Sequence, residues 1–153
     1  MTFDKKVEPI SQDSLDLLQQ FLGFKLPNEY IEFLRFSGGA RIYQNTYSPI
    51  NQEERVSIDC LYGLNQTDHN YDFVYHLKLY AARIPSHFIT IGDDGGGNQI
   101  CLGVKGPDRN KVYLWDHEFE ADDGETPTKE NMTLITHSFT DFINNLFERN
   151  YDE

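Results

Sequence analysis

The chain has 153 residues, 39% hydrophobic and 14% aromatic, which is enough to close an apolar core and too much for a disordered segment. Lys and Arg number 13 against 25 Asp and Glu, and the net charge of −12 repels nucleic-acid phosphates and anionic membranes while favouring basic partners. Cys60 and Cys101 are too few for a disulfide framework or a four-ligand zinc site, and the N-terminal stretch has no apolar signal core. No apolar run reaches the ~20 residues of a membrane span, so a reduced, soluble, cytoplasmic protein is expected.

In chain order, Ser11 caps an expected helix with apolar positions Leu15, Leu18 and Leu22, with Phe21 beside them, ended by Gly23. Pro27 suits the first turn of a second helix, whose apolar face is Tyr30, Ile31, Phe33 and Leu34 and whose stop is Gly38-Gly39. Strand-like runs follow at Ala40–Tyr47 and Val56–Tyr62, joined by a polar loop with Pro49. Residues 71–82 fit a third helix through Phe73, Val74, Leu77 and Tyr80, although their aromatic load also permits a strand. Pro85 breaks this segment.

Three strands are expected at Phe88–Ile91, Gln99–Val104 and Lys111–Trp115, with turn-rich connections that favour an antiparallel meander. Residues 116–131 read as a long acidic loop. A final helix over Ser138–Arg149 has Ser138 as its cap and a stripe of Phe139, Phe142, Ile143, Leu146 and Phe147. The predicted class is α+β, a mostly antiparallel sheet flanked by N-terminal helices and a C-terminal helix, in a single domain over residues 1–153. The expected buried set is Leu15, Leu18, Tyr30, Leu34, Ile89, Ile91, Ile100, Leu102, Tyr113, Phe142 and Leu146.

The densest local motif is Gly92-Asp93-Asp94-Gly95-Gly96-Gly97-Asn98. A phosphate loop would lead into a helix, often with a lysine; here a strand follows, and Asp93 and Asp94 repel phosphate. A calcium loop needs more oxygen ligands than these glycines supply. Gly95, Gly96, Gly97 and Asn98 therefore read as a structural turn with a bulge, or as a backbone-rich partner site whose aspartates grip basic groups. The loop after residue 115 offers Asp116, Glu118, Glu120, Asp122, Asp123, Glu125 and Glu130 against Lys129 alone. It reads either as a solvated loop or as a carboxylate surface for the Lys and Arg of a nuclease groove. The histidines lack zinc spacing, and there is no nucleophile elbow or reactive-cysteine motif, so no cofactor, metal or catalytic residue is assigned.

Four further segments bear a family resemblance. Leu26-Pro27-x-x-Tyr30-x-x-Phe33-Leu34 precedes Gly38-Gly39. Ile84-Pro85-x-x-Phe88-Ile89-x-Ile91-Gly92 leads to Asp94, Gly97-Asn98 and Ile100-Cys101-Leu102. Val112-Tyr113-x-Trp115-Asp116-His117-Glu118 and Ser138-Phe139-x-x-Phe142-Ile143 complete the set. In this order they resemble the SUKH superfamily in its Smi/Knr-type branch, and in particular YobK-type single-domain members that pair with toxins bearing LXG export domains. The resemblance implies a non-enzymatic α+β fold and the role of an immunity protein, an antitoxin that binds and neutralises a cognate polymorphic toxin, often a nuclease. Related fungal domains regulate cell-wall synthesis, so a regulatory scaffold for an endogenous partner is the alternative. A metal-dependent hydrolase built on Asp93, Asp94, Asp116 and His117 is the third reading. The absence of long disordered flanks favours the stand-alone immunity role. The family's varied interfaces transfer no contact residues, and oligomeric state is left open.

Overall fold

A computed structural model describes residues 2–149; residues 1 and 150–153, the ends of the expected domain, lie outside the described residues. The elements are β1 (Phe3–Lys6), α1 (Gln12–Leu22), α2 (Asn28–Phe36), β2 (Ala40–Ile42), β3 (Thr46–Tyr47), β4 (Val56–Ser57) and β5 (Cys60–Leu61). They continue with α3 (Phe73–Tyr80), β6 (Phe88–Asp93), β7 (Gln99–Gly103), β8 (Val112–Trp115), β9 (Met132–Thr136) and α4 (Phe139–Asn144). Seven strands form an antiparallel sheet in the order β1-β2-β5-β6-β7-β8-β9, and β3 and β4 pair separately. The α+β class and its flanking helices are as the sequence predicts.

Local chemistry sets the helix ends. Ser11 Oγ accepts the amide of Ser14 at 3.1 Å, and Gly23 closes α1 in the left-handed region at φ 80°. Ser138 Oγ likewise accepts the amide of Asp141 at 3.1 Å to start α4. The third segment is a helix, entered through Asp72, whose side chain caps the amide of Tyr75.

Side chains alternate across the central strands, so β7 sends Ile100 and Leu102 into one apolar layer and Cys101 into the other. The larger layer holds Leu15, Leu18, Leu26, Tyr30, Phe139 and Phe142 from the helices against Ile89, Ile91 and Ile135. Phe139 is its aromatic hub, edge-on to Tyr30 at 5.2 Å and to Phe33 at 5.5 Å. The smaller layer comprises Ile84, Phe88, Cys101, Tyr113 and Trp115, with Tyr80 against it. Every residue of the expected buried set is buried, Tyr113 in the smaller layer and the others in the larger. The two cysteines are free thiols in different layers.

Four expectations change. The runs over Ala40–Tyr47 and Val56–Tyr62 each break in two, because β2 and β5 join the large sheet while β3 and β4 pair apart from it. β1 forms where a charged stretch gave no strand signal, since the free edge of β2 supplies the hydrogen-bond partners. β9 follows the acidic loop and completes the sheet beside β8. The last helix stops at Asn144, not Arg149, because Phe147 exchanges two backbone hydrogen bonds with Thr46, at 3.0 and 3.1 Å, while Leu146 stays buried. The loop over 116–131 also contains a 3-10 turn at His117–Phe119.

At one end of the β6–β7 pair, the short turn after β7 places Asp108 among donors. Its Oδ2 accepts from Lys129 Nζ at 2.9 Å and from His87 Nε2 at 3.1 Å, and its Oδ1 accepts from Tyr113 Oη at 2.9 Å. Burial alone would push this carboxyl up, but the three donors hold it below the usual carboxylate range.

Candidate partner-binding site

The candidate residues gather at the other end of the same strands. β6 and β7 are joined by a turn that Asp94 organises. Its Oδ1 accepts the amides of Gly96 at 2.8 Å and Asn98 at 3.1 Å, while its own amide donates to the Asn98 carbonyl at 3.2 Å. Gly97 sits at φ 103°, which favours glycine, and a β-carbon there would lie 3.1 Å from the His117 ring, which would have to shift. Asn98 Oδ1 accepts the amide of His117 at 3.1 Å and ties this turn to the acidic segment after β8.

That segment is held at both ends of its 3-10 turn. Asp116 Oδ1 caps the amide of Glu118 at 3.0 Å. Glu120 accepts from both Nε and Nη2 of Arg83 at 2.9 Å, an interaction that lowers the carboxyl's pKa and raises the guanidinium's. The Arg83 guanidinium lies over Tyr80 at 4.6 Å and Trp115 at 5.7 Å, capping the smaller apolar layer.

The seven acidic candidates therefore divide. Asp93, Asp94, Asp116 and Glu120 are half-buried and engaged in the local architecture. Glu118, Asp122 and Asp123 are exposed, and among the described residues they form no ion pair within 4.0 Å.

A buried polar network beneath the turn has no counterpart in the sequence reading. Tyr62 Oη lies 2.7 Å from Gln99 Oε1 and 3.1 Å from Asp93 Oδ2. Gln99 Oε1 also accepts from Thr90 Oγ1 at 2.6 Å, and its Nε2 donates to Tyr80 Oη at 3.2 Å and the Gly97 carbonyl at 3.3 Å. One phenolic proton serves only one of Tyr62's two neighbours. A protonated Asp93 would donate to the phenol and free Tyr62 to donate to Gln99. In keeping with this, burial pushes the Asp93 carboxyl up, only partly offset by Tyr62, and the nearby Asp59 pushes it further. His76 stacks on Tyr62 at 3.8 Å and donates through Nδ1 to the Asp72 carbonyl at 2.8 Å. The four-residue spacing from His76 to Tyr80 was a legible signal of this cluster; the pairing of Tyr62 with Asp93 and Gln99, across separate strands, was not.

The hydrolase set is not brought together as a ligand shell: Asp94 and Asp116 cap local turns, and Asp93 faces Tyr62. Among the described residues, the group with ligand atoms within 4.8 Å of one another is Asp59, Cys60 and Asp93. Arg41 lies 3.6 Å from Asp59, and burial beside Asp93 pushes the Cys60 thiol up.

The sequence matches the SMI1 / KNR4 family (SUKH-1) over residues 9–145. The chain belongs to this family. The SPbeta prophage-derived uncharacterized protein YokK of Bacillus subtilis (strain 168) is 27% identical over 155 residues, covering 90% of this chain and 75% of that protein. The matched span of this SUKH-1 chain contains the whole candidate site, from Asp93 through Asp123. No helix among the described residues is long and apolar enough to cross a membrane.

Proposed function

We propose that this SUKH-1 chain is a cytoplasmic immunity protein that binds a cognate toxin domain and neutralises it by occlusion, without catalysis of its own. The observation that carries the reading is the exposed set Glu118, Asp122 and Asp123, unpaired among the described residues and borne on the segment that Asn98 ties to the Asp94 turn, on a chain of net charge −12 that belongs to the SMI1 / KNR4 family (SUKH-1). Carboxylates of this kind attract the Lys and Arg with which a nuclease holds its substrate. An acidic protein seated there excludes nucleic acid, so a nuclease-type toxin is the proposed target. The relative's prophage origin is in keeping with a gene carried on mobile DNA beside the toxin it counters.

The test is co-expression with the toxin encoded in the adjacent reading frame, followed by purification of the two chains. Growth should be rescued and a stable complex recovered. Association should slow as salt rises, because the screening length falls from about 10 Å at 0.1 M to about 3 Å at 1 M. Dissociation should respond less, because apolar contacts are not screened. Reversing charge at Glu118, Asp122 and Asp123 should slow association while leaving the melting temperature unchanged. If those variants bind normally, the interface lies elsewhere. If the unaltered chain neither binds nor protects, the immunity reading fails.

A further inference from the structure

We propose that Phe119 is the apolar anchor of the partner surface, and that it seats in an apolar hollow ringed by Lys and Arg on the partner protein. The inference rests on the immunity reading above and names the contact at its centre.

Phe119 is 72% exposed, more than the other large hydrophobic side chains among the described residues. Phe21, 59% exposed, also lacks a ring neighbour but lines an apolar hollow with Leu22, Phe24 and Leu77, and other comparable rings have company. Phe36 packs on Phe3 at 5.8 Å under the Lys6 ammonium at 4.4 Å, and Tyr75 stacks on His69 at 4.6 Å. Among the described residues Phe119 has no ring or cation neighbour. A phenylalanine left in water forfeits the burial that usually places it in a core.

The backbone beneath Phe119 is fixed. Its amide donates to the Asp116 carbonyl at 3.3 Å. Two residues before it, the His117 amide is held by Asn98 at 3.1 Å, and the next residue, Glu120, is clamped twice by Arg83 at 2.9 Å. A ring displayed on such a support loses little freedom when it binds, which distinguishes a preorganised contact from a stray apolar residue on a mobile loop. The same segment carries the exposed carboxylates of Glu118, Asp122 and Asp123 within four positions of it in the chain. An aromatic centre with a charged rim is the anatomy of a protein interface, and the sign of the rim selects a basic partner. The same sign disfavours an anionic lipid surface.

The probe is the isolated toxin domain encoded in the adjacent reading frame, with binding kinetics measured against the full chain. Phe119→Ala should raise Kd about 10- to 100-fold, chiefly through faster dissociation. Its melting temperature should match the unaltered protein, because the side chain is exposed. Phe119→Trp should bind within about threefold of the unaltered protein. Arg83→Lys removes the two-point clamp on Glu120 and should weaken binding less than Phe119→Ala does. Binding of Phe119→Ala within about twofold of the unaltered protein overturns the anchor while leaving the immunity reading intact. Failure of the unaltered chain to bind overturns both. Phe119-dependent binding to phosphatidylcholine vesicles assigns the ring to a lipid surface and overturns the proposal.

Discussion

The two ends of the β6–β7 pair each hold a prominent aspartate, and the two are treated in opposite ways. Asp108 is almost fully enclosed, yet Lys129, His87 and Tyr113 satisfy it and stabilise its charge. Asp93 is half-buried, meets a tyrosine that it shares with Gln99, and faces further negative charge from Asp59. One end is built as a fastener, with donors drawn from three segments converging on one carboxylate. The other end leaves negative charge undercompensated and exposes more of it on the neighbouring loop. Burial alone does not determine whether a carboxylate stabilises a fold; the donors around it do.

The largest expected effect tests the fastener through its backbone. A β-carbon at Gly103 would run into the carbonyl of Asp108, a backbone atom that cannot rotate away. Gly103→Ala should cost about 3 kcal/mol or more by chemical denaturation. A loss below about 1 kcal/mol would mean that this end yields easily. Asp108→Ala should cost about 2 kcal/mol at neutral pH by orphaning the buried Tyr113 hydroxyl and removing the ion pair with Lys129. Because the folded carboxyl lies below its unfolded value of about 3.9, this stabilisation is complete above that value and is lost as pH falls through the folded one. The gap between Asp108→Ala and the unaltered protein should therefore close in acid. A gap that persists would show that Asp108 acts by shape and not by charge.

The opposite end should respond more weakly and, in one case, with the opposite sign. Gly97→Val should cost about 1 kcal/mol or more, from the positive φ and the His117 ring. Asp93→Asn should stabilise the chain by about 1 kcal/mol at neutral pH, by removing a charge that the folded state disfavours. Here the folded carboxyl lies above its unfolded value, so the Asp93 contribution to stability is greatest below about pH 3.9 and declines as pH rises through the folded value. The gain from Asp93→Asn should thus shrink on acidification, read as the difference in melting temperature across a pH series. A destabilised Asp93→Asn would erase the contrast between the two ends.

Much of this could be read from the chain, because capping and periodicity are local. Ser11, Gly23 and Ser138 mark helix ends within a few residues of what they cap. The turn chemistry of Asp94 likewise acts within four residues. What escaped the sequence depends on partners far along the chain. β1 exists because β2 has a free edge, and α4 is cut short because Phe147 finds Thr46. The acidic candidates could be named, but not sorted. Nothing local reveals that Glu120 is engaged by Arg83, 37 positions earlier, whereas Glu118 is left exposed. Phe119 was hidden for a related reason: a phenylalanine in a polar stretch is expected to turn inward, whereas here it stays exposed on a 3-10 turn.

The chain has a single tryptophan, Trp115, buried under Tyr80 and the Arg83 guanidinium at the last position of β8 before the acidic segment. Its indole is thus a native optical reporter for the clamp on Glu120. While Arg83 stays in place the ring is shielded from water and its emission should be blue-shifted. Release of Arg83 would admit solvent to the ring and redden the emission, without an introduced label and without unfolding. Loop docking in this protein is therefore measurable by intrinsic fluorescence, on its own timescale and in the presence of a partner free of tryptophan.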